Sequence, residues 1–157
     1  MAVLAIVEER WLAAAAAVYG GLIAGHAVAE RDPFRNPIGH TLRRNIAALT
    51  REFLGAMDAV AIDAAFGEIM SIRSIQDLSV ERAVGFVFSL RGIAREEAPR
   101  MEAAEAEARI DRLALAAFTQ YLACRERLVG LRLNEQLRAI GVARLRAAHS
   151  GADGAVA

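Results

Sequence analysis

Lysine is missing from this chain: all nineteen basic side chains are arginine, and nineteen acidic ones balance them to a formal net charge of zero. With neither sign in excess, no overall field draws the protein to nucleic acid or to an anionic membrane. The exclusive use of arginine has two readings, genomic codon bias and selection for a planar guanidinium that grips anions in bidentate fashion. Cysteine occurs once, at Cys124, which excludes an internal disulfide and suits a reducing, cytoplasmic setting. Aromatic residues make up 6% of the chain and do not interleave with the arginines, so a nucleic-acid surface has no basis.

The signatures of chemistry are missing too. His26, His40 and His149 are far apart, and none has Glu three residues before it or a second His four residues away, the spacings that zinc-protease and di-iron helices require. There is no GxGxxG, no phosphate loop of the GxxxxGK type and no nucleophile elbow. Cys124 has Arg125 and Arg127 nearby, which could lower a thiol pKa, but its place on an apolar stripe reads as a core thiol. No catalytic residue, metal or cofactor is expected, and the chain is read as a non-enzyme.

What is there is apolar material. At 157 residues and 55% hydrophobic composition the chain can bury one domain-sized core. Residues 11–29 pass without a formal charge and contain a small-xxx-small pattern at 21–25, so a membrane span is one reading. The segment is mostly Ala and Gly, with Gly20, Gly21 and His26 interrupting it, and an Ala-rich helix followed by a turn is the preferred one. The opening MAVLAIVEER places its charges after the apolar run, unlike a signal peptide.

In chain order, Leu4, Val7, Trp11, Ala15 and Val18 predict a helix over 3–19, and a short helical piece is expected over 22–29. The loop ERDPFRNP follows. Asn36 and Pro37 read as N-cap and first helical position of a second helix, with Ile38, Leu42, Ile46, Leu49 and Phe53 inward and an end near Gly55. Asp58 caps a third helix whose inner face is Val60 and Ala64, or else Ile62, Phe66 and Ile69. Residues 72–97 form the centre of the fold: 83–90 carry no charge, Ser79 is a good N-cap, and one buried helix is expected there. Beyond Pro99 a long final helix runs from the acidic stretch Glu102, Glu105, Glu107 towards His149.

That helix carries two stripes. Ile110, Leu113, Ala117, Tyr121, Cys124, Leu128 and Leu131 form one; Leu115, Phe118, Leu122, Val129, Leu133 and Leu137 form another, about 150° away at about 100° per residue. Two apolar faces need two covers, and the second cover is either more of the same chain or a second copy of the protein. The fold class is therefore all-α, a single-domain helical bundle of about five to six helices with a long C-terminal helix, covering 1–149, with 150–157 as a disordered tail.

Three sites stand out. Asn36, Gly39, His40 and Arg43 form a candidate anion site at a helix N-terminus, although capping alone accounts for Asn36 and Pro37. Arg73, Gln76 and Asp77 put hydrogen-bonding groups beside the most buried segment, either as a polar lock or as a switch that a competing ligand or partner would throw. Leu122, Val129 and Leu133, flanked by Arg125 and Arg132, form a candidate surface for a protein partner, a homodimer included.

The phrases IVEERWLAAAAAVYG, DPFRNPIGHTLRR, IRSIQDLSVERAVGFVFSLRGIAREE and ARIDRLALAAFTQYLACRERLVGLRLNEQLR, in that order, resemble the N-terminal domain of RsbRD-type RsbT co-antagonist proteins. Trp11, Asn36, Gly39, Arg73, Phe86, Asp111, Tyr121 and Asn134 are among the residues that carry the match, whereas Gly20 and Val80 stand where proline is common. The resemblance implies a free-standing version without the C-terminal anti-sigma-antagonist domain, with relatives of globin-like fold that bind no haem. The function it implies is a cytoplasmic regulatory or sensor module of stressosome-like bacterial signalling, acting by protein–protein interaction. The alternative it leaves is a small accessory subunit of a respiratory, sulfur-metabolism membrane redox complex.

Overall fold

A computed structural model describes the backbone of residues 2–20, 29, 30 and 32–153, and the side chains of these as far as Arg144. The small-xxx-small stretch 21–25, His26 and most of the helical piece expected over 22–29 lie outside the described residues. The chain is all-helical: α1 (Ala2–Ala16), a 3-10 turn (Ala17–Tyr19), α2 (Pro37–Leu54), α3 (Ala59–Ile75), α4 (Val80–Val84), a 3-10 segment (Gly85–Ser89), α5 (Leu90–Glu97) and the long α6 (Ala103–Asp153). No helix among the described residues is long and apolar enough to cross a membrane.

Two compact units divide the chain, 1–124 and 125–157. The first holds the core. Val7, Trp11 and Ala15 of α1 face Leu42, Ile46, Leu49 and Phe53 of α2, and α3 contributes Ile62, Phe66, Ile69 and Met70. Of the two inner faces open to α3, the structure takes the second, because Val60 is 80% exposed and Ala64 is also on the outside. The side chains of Asn36 and Asp58 accept the N–H groups of Gly39 and Ala61, satisfying donors that the first turns of α2 and α3 would leave orphaned. The part of α6 within this unit buries Ile110, Leu113, Ala117, Tyr121 and Cys124, the first of the two stripes.

The central segment departs from the single helix expected over 79–97. It is helical at both ends, but residues 85–89 tighten into a 3-10 turn. The carbonyl of Phe86 accepts the Trp11 indole N–H at 3.1 Å and the Ser89 hydroxyl at 2.6 Å, while the Leu90 N–H turns to the carbonyls of Val87 and Phe88. One tertiary hydrogen bond, from Trp11, and one local side-chain bond, from Ser89, thus converge on a carbonyl where the regular helical ladder gives way. As a result Phe86 and Val87 both point inward and Phe88 is half exposed.

The second unit is the remaining length of α6. In it every described side chain from Val129 to Arg144 is exposed, with Arg125 and Leu128 half-buried. The helix continues to Asp153, through the first residues of the tail expected to be disordered from Ser150; 154–157 lie outside the described residues.

Candidate functional site

Arg73, near the end of α3, is completely buried. Its guanidinium donates to the carbonyl of Ala15 at 2.6 Å and to that of Ala83. Both acceptors lie in the last turns of helices, α1 and α4, where carbonyls have no partner further along the chain and the helix dipole leaves partial negative charge. One buried cation thus closes two helix ends, and it forms no ion pair with a carboxylate among the described residues. Its face lies 4.3 Å from the centre of the Phe86 ring, which also stacks on Trp11 at 5.9 Å and meets Phe66 edge-on at 6.4 Å. Burial pulls the guanidinium pKa below its ordinary value, with the neighbouring Tyr19 acting in the opposite sense. Arg73 Nε and the Tyr19 hydroxyl are buried without hydrogen-bond partners.

Gln76 and Asp77, which the sequence grouped with Arg73, are exposed. They form the end of α3. The Asp77 N–H reaches the Ser74 carbonyl at 3.2 Å and the Leu78 N–H reaches the Arg73 carbonyl at 3.3 Å, with Asp77 in the left-handed region at φ 54°. That pair of bonds is a Schellman closure, and Asp tolerates the position where glycine is commonest. The next carbonyl, that of Leu78, takes the Tyr121 hydroxyl of α6 at 2.5 Å.

Arginine closes other helix ends in the same manner. Arg109 donates at 2.7 Å to the carbonyls of Phe53 and Gly55 at the end of α2, and Arg82 reaches the Val18 carbonyl at 3.0 Å. The forked guanidinium, for which anion binding is one of the two readings of the arginine usage, here grips peptide carbonyls. A broad cleft of about 730 Å³, lined by Leu4, Leu54, Met101, Glu105, Arg100 and Arg109 among others, has one of these two arginines, Arg109, already engaged in this way.

At the start of α2 the Asn36 amide also donates to the Glu30 carbonyl at 3.2 Å, Gly39 is buried, His40 is exposed and Arg43 is half-buried. Asn36 and Gly39 meet directly, through the cap at 2.8 Å. Arg44, one residue on, pairs with Glu68 of α3, which also accepts from Asn45 at 2.8 Å. The Asn45 hydrogen bond, then Arg44, hold the Glu68 carboxyl below its ordinary pKa.

The candidate partner surface falls on both units. Leu122 belongs to the first and is exposed; Arg125, Val129, Arg132 and Leu133 belong to the second, Arg125 half-buried and the other three exposed. Within the first unit the exposed row also includes Leu115 and Phe118. Sequence reasoning placed these two on the second stripe but missed what they border. An open groove of about 450 Å³ runs between them and Val80, Val84, Gly85 and Phe88, with Glu81 and Asp111 as its charged lining. The groove exists because the 3-10 turn sets Phe88 outward, which helical periodicity could not signal.

The model of the RsbT co-antagonist protein rsbRD N-terminal domain matches residues 5–136. The chain belongs to this family. No curated protein and no solved structure matches it. In this RsbRD N-terminal domain, three residues that carried the resemblance, Trp11, Arg73 and Phe86, form the knot around the 3-10 segment, Tyr121 ties α6 to the Leu78 carbonyl, and Asp111 lines the groove. Arg10 ties α1 to the end of α5 through Glu96 at 2.6 Å and Glu97 at 2.7 Å, and these hydrogen bonds raise its pKa.

Proposed function

We propose that the chain is a regulatory module of stressosome-type bacterial signalling that works in the cytoplasm by binding a protein partner and performs no bond-making or bond-breaking step itself. The observation that carries this reading is the outer face of α6 in the first unit. Leu115, Phe118 and Leu122 stand 66%, 38% and 42% exposed on a helix whose opposite face is fully buried. A contiguous apolar row that the fold does not need is the mark of a surface meant for another molecule. Membership of the RsbRD N-terminal family supports the setting.

The knot around Arg73 supports a role in relaying rather than transforming. It joins α1, α3 and α4 through a few hydrogen bonds directly behind the groove-forming segment, so a partner pressing on Phe88 acts on the element that Arg73 and Trp11 hold. The test is recovery of partner proteins on the native chain compared with a Leu115→Arg, Phe118→Arg double variant of equal thermal stability. The reading expects the variant to lose the partner that the native chain retains. Equal recovery on both would overturn it.

A further inference from the structure

We propose that the groove between α4 and α6 receives the amphipathic helix 125–144 of a second copy of this chain. The proposal rests on the reading of the chain as an interaction module and names the occupant of its surface. The groove is apolar apart from Glu81 and Asp111, and no basic residue lines it. Glu81 makes no ion pair among the described residues, and Asp111 meets Arg91 only at 3.6 Å, the Arg91 guanidinium being engaged with Glu107 at 2.8 Å and with the Phe88 ring at 5.0 Å. A Cβ at Gly85 would meet nothing within 4 Å, so the groove is open to an incoming side chain.

The second unit has the complementary character. Val129, Leu133, Leu137 and Ile140 recur at four- and three-residue steps, and each is between 50% and 59% exposed. At about 100° and 1.5 Å per residue they form one stripe about 16 Å long. Arg125 and Arg132 fall along one flank of that stripe and Gly130 and Gly141 along the other. Residues 125–144 hold five arginines against Glu126 and Glu135, so a cationic apolar helix faces an acid-lined apolar groove. On the arginine flank the exposed Arg132 can meet Glu81 or Asp111, while the glycine flank lets the backbone approach closely. Because each copy owns both a groove and a helix, a two-fold pair makes the contact twice, which closes the assembly at two copies.

Sedimentation of the purified full chain over a range of micromolar concentrations tests this, using Leu115→Arg to spoil the groove and Leu133→Glu to spoil the helix. Wild type should dimerise, and each variant alone should dimerise at least about tenfold more weakly. An equimolar mixture of the two should recover dimer, since one intact groove and one intact helix remain. Glu81→Arg, at an exposed position without an ion pair, should weaken the dimer several-fold even where a leucine variant folds poorly, and added salt should weaken the wild-type dimer. A concentration-independent monomer, a dimer indifferent to Leu115→Arg, or a mixture that fails to recover would each overturn the proposal. A monomer that still loses its partner protein through Leu115→Arg, Phe118→Arg would leave the interaction role standing and remove self-docking alone.

Discussion

A guanidinium with no exposed surface and no ion pair to a carboxylate among the described residues must be compensated by dipoles, and Arg73 takes that compensation from the C-terminal carbonyls of α1 and α4. Replacing it with alanine leaves two buried acceptors unpaired and opens a cavity, so Arg73→Ala should lower stability by about 3–5 kcal/mol in urea unfolding. Arg73→Lys keeps the charge but cannot fork between two carbonyls, and about 1–3 kcal/mol of loss is expected. Asp77 has a different problem. It occupies the left-handed region at φ 54°, so Asp77→Gly should gain up to about 1 kcal/mol and Asp77→Val should lose at least as much, both read from thermal unfolding. The sequence showed that Arg73, Gln76 and Asp77 border a buried segment. It could not show that only Arg73 turns inward, because the Schellman closure that exposes the other two depends on where the helix stops.

At the scale of elements, patterns with a clean period were legible and those overridden by tertiary contacts were not. The Asn36 and Asp58 caps start α2 and α3 where the sequence expects, and Leu42, Ile46, Leu49 and Phe53 are all buried. The central segment was misread as one helix because nothing local reveals that an indole 75 residues earlier takes the Phe86 carbonyl. Trp11→Phe, which keeps the ring but removes that donor, should cost about 1–2 kcal/mol and shift residues 85–89 towards regular helix, visible as a gain of amide protection at Leu90. Between α2 and α3 the link is electrostatic. With its pKa held down by Asn45 and Arg44, the Glu68 carboxylate favours the folded state above the ordinary carboxylate value of about 4 and loses that advantage as pH falls below it. The stability difference between wild type and Glu68→Gln should therefore shrink on acidification, as measured by urea midpoints across the acid range.

For the molecule as a whole, the fold class and the long last helix were legible because apolar spacing sets which faces can be hidden. The two stripes on α6 were legible as well, and in the first unit one is buried while Leu115, Phe118 and Leu122 stay out. What periodicity lacked was the groove beside that row, since a concavity arises from three-dimensional placement of α4 against α6. The first unit carries the core residues of all six described helices within 1–124, so that length of chain should unfold cooperatively, with a midpoint within a few degrees of the full protein when both are measured at a concentration where the full protein is monomeric. On the proposed reading the outer face of α6 serves binding and not folding, and the direct test is the thermal midpoint of the Leu115→Arg, Phe118→Arg variant, taken at a concentration where the wild type is monomeric, beside its partner binding. An unchanged midpoint with binding lost is the expected result; a midpoint that falls together with binding at that concentration, or binding that survives, would contradict it.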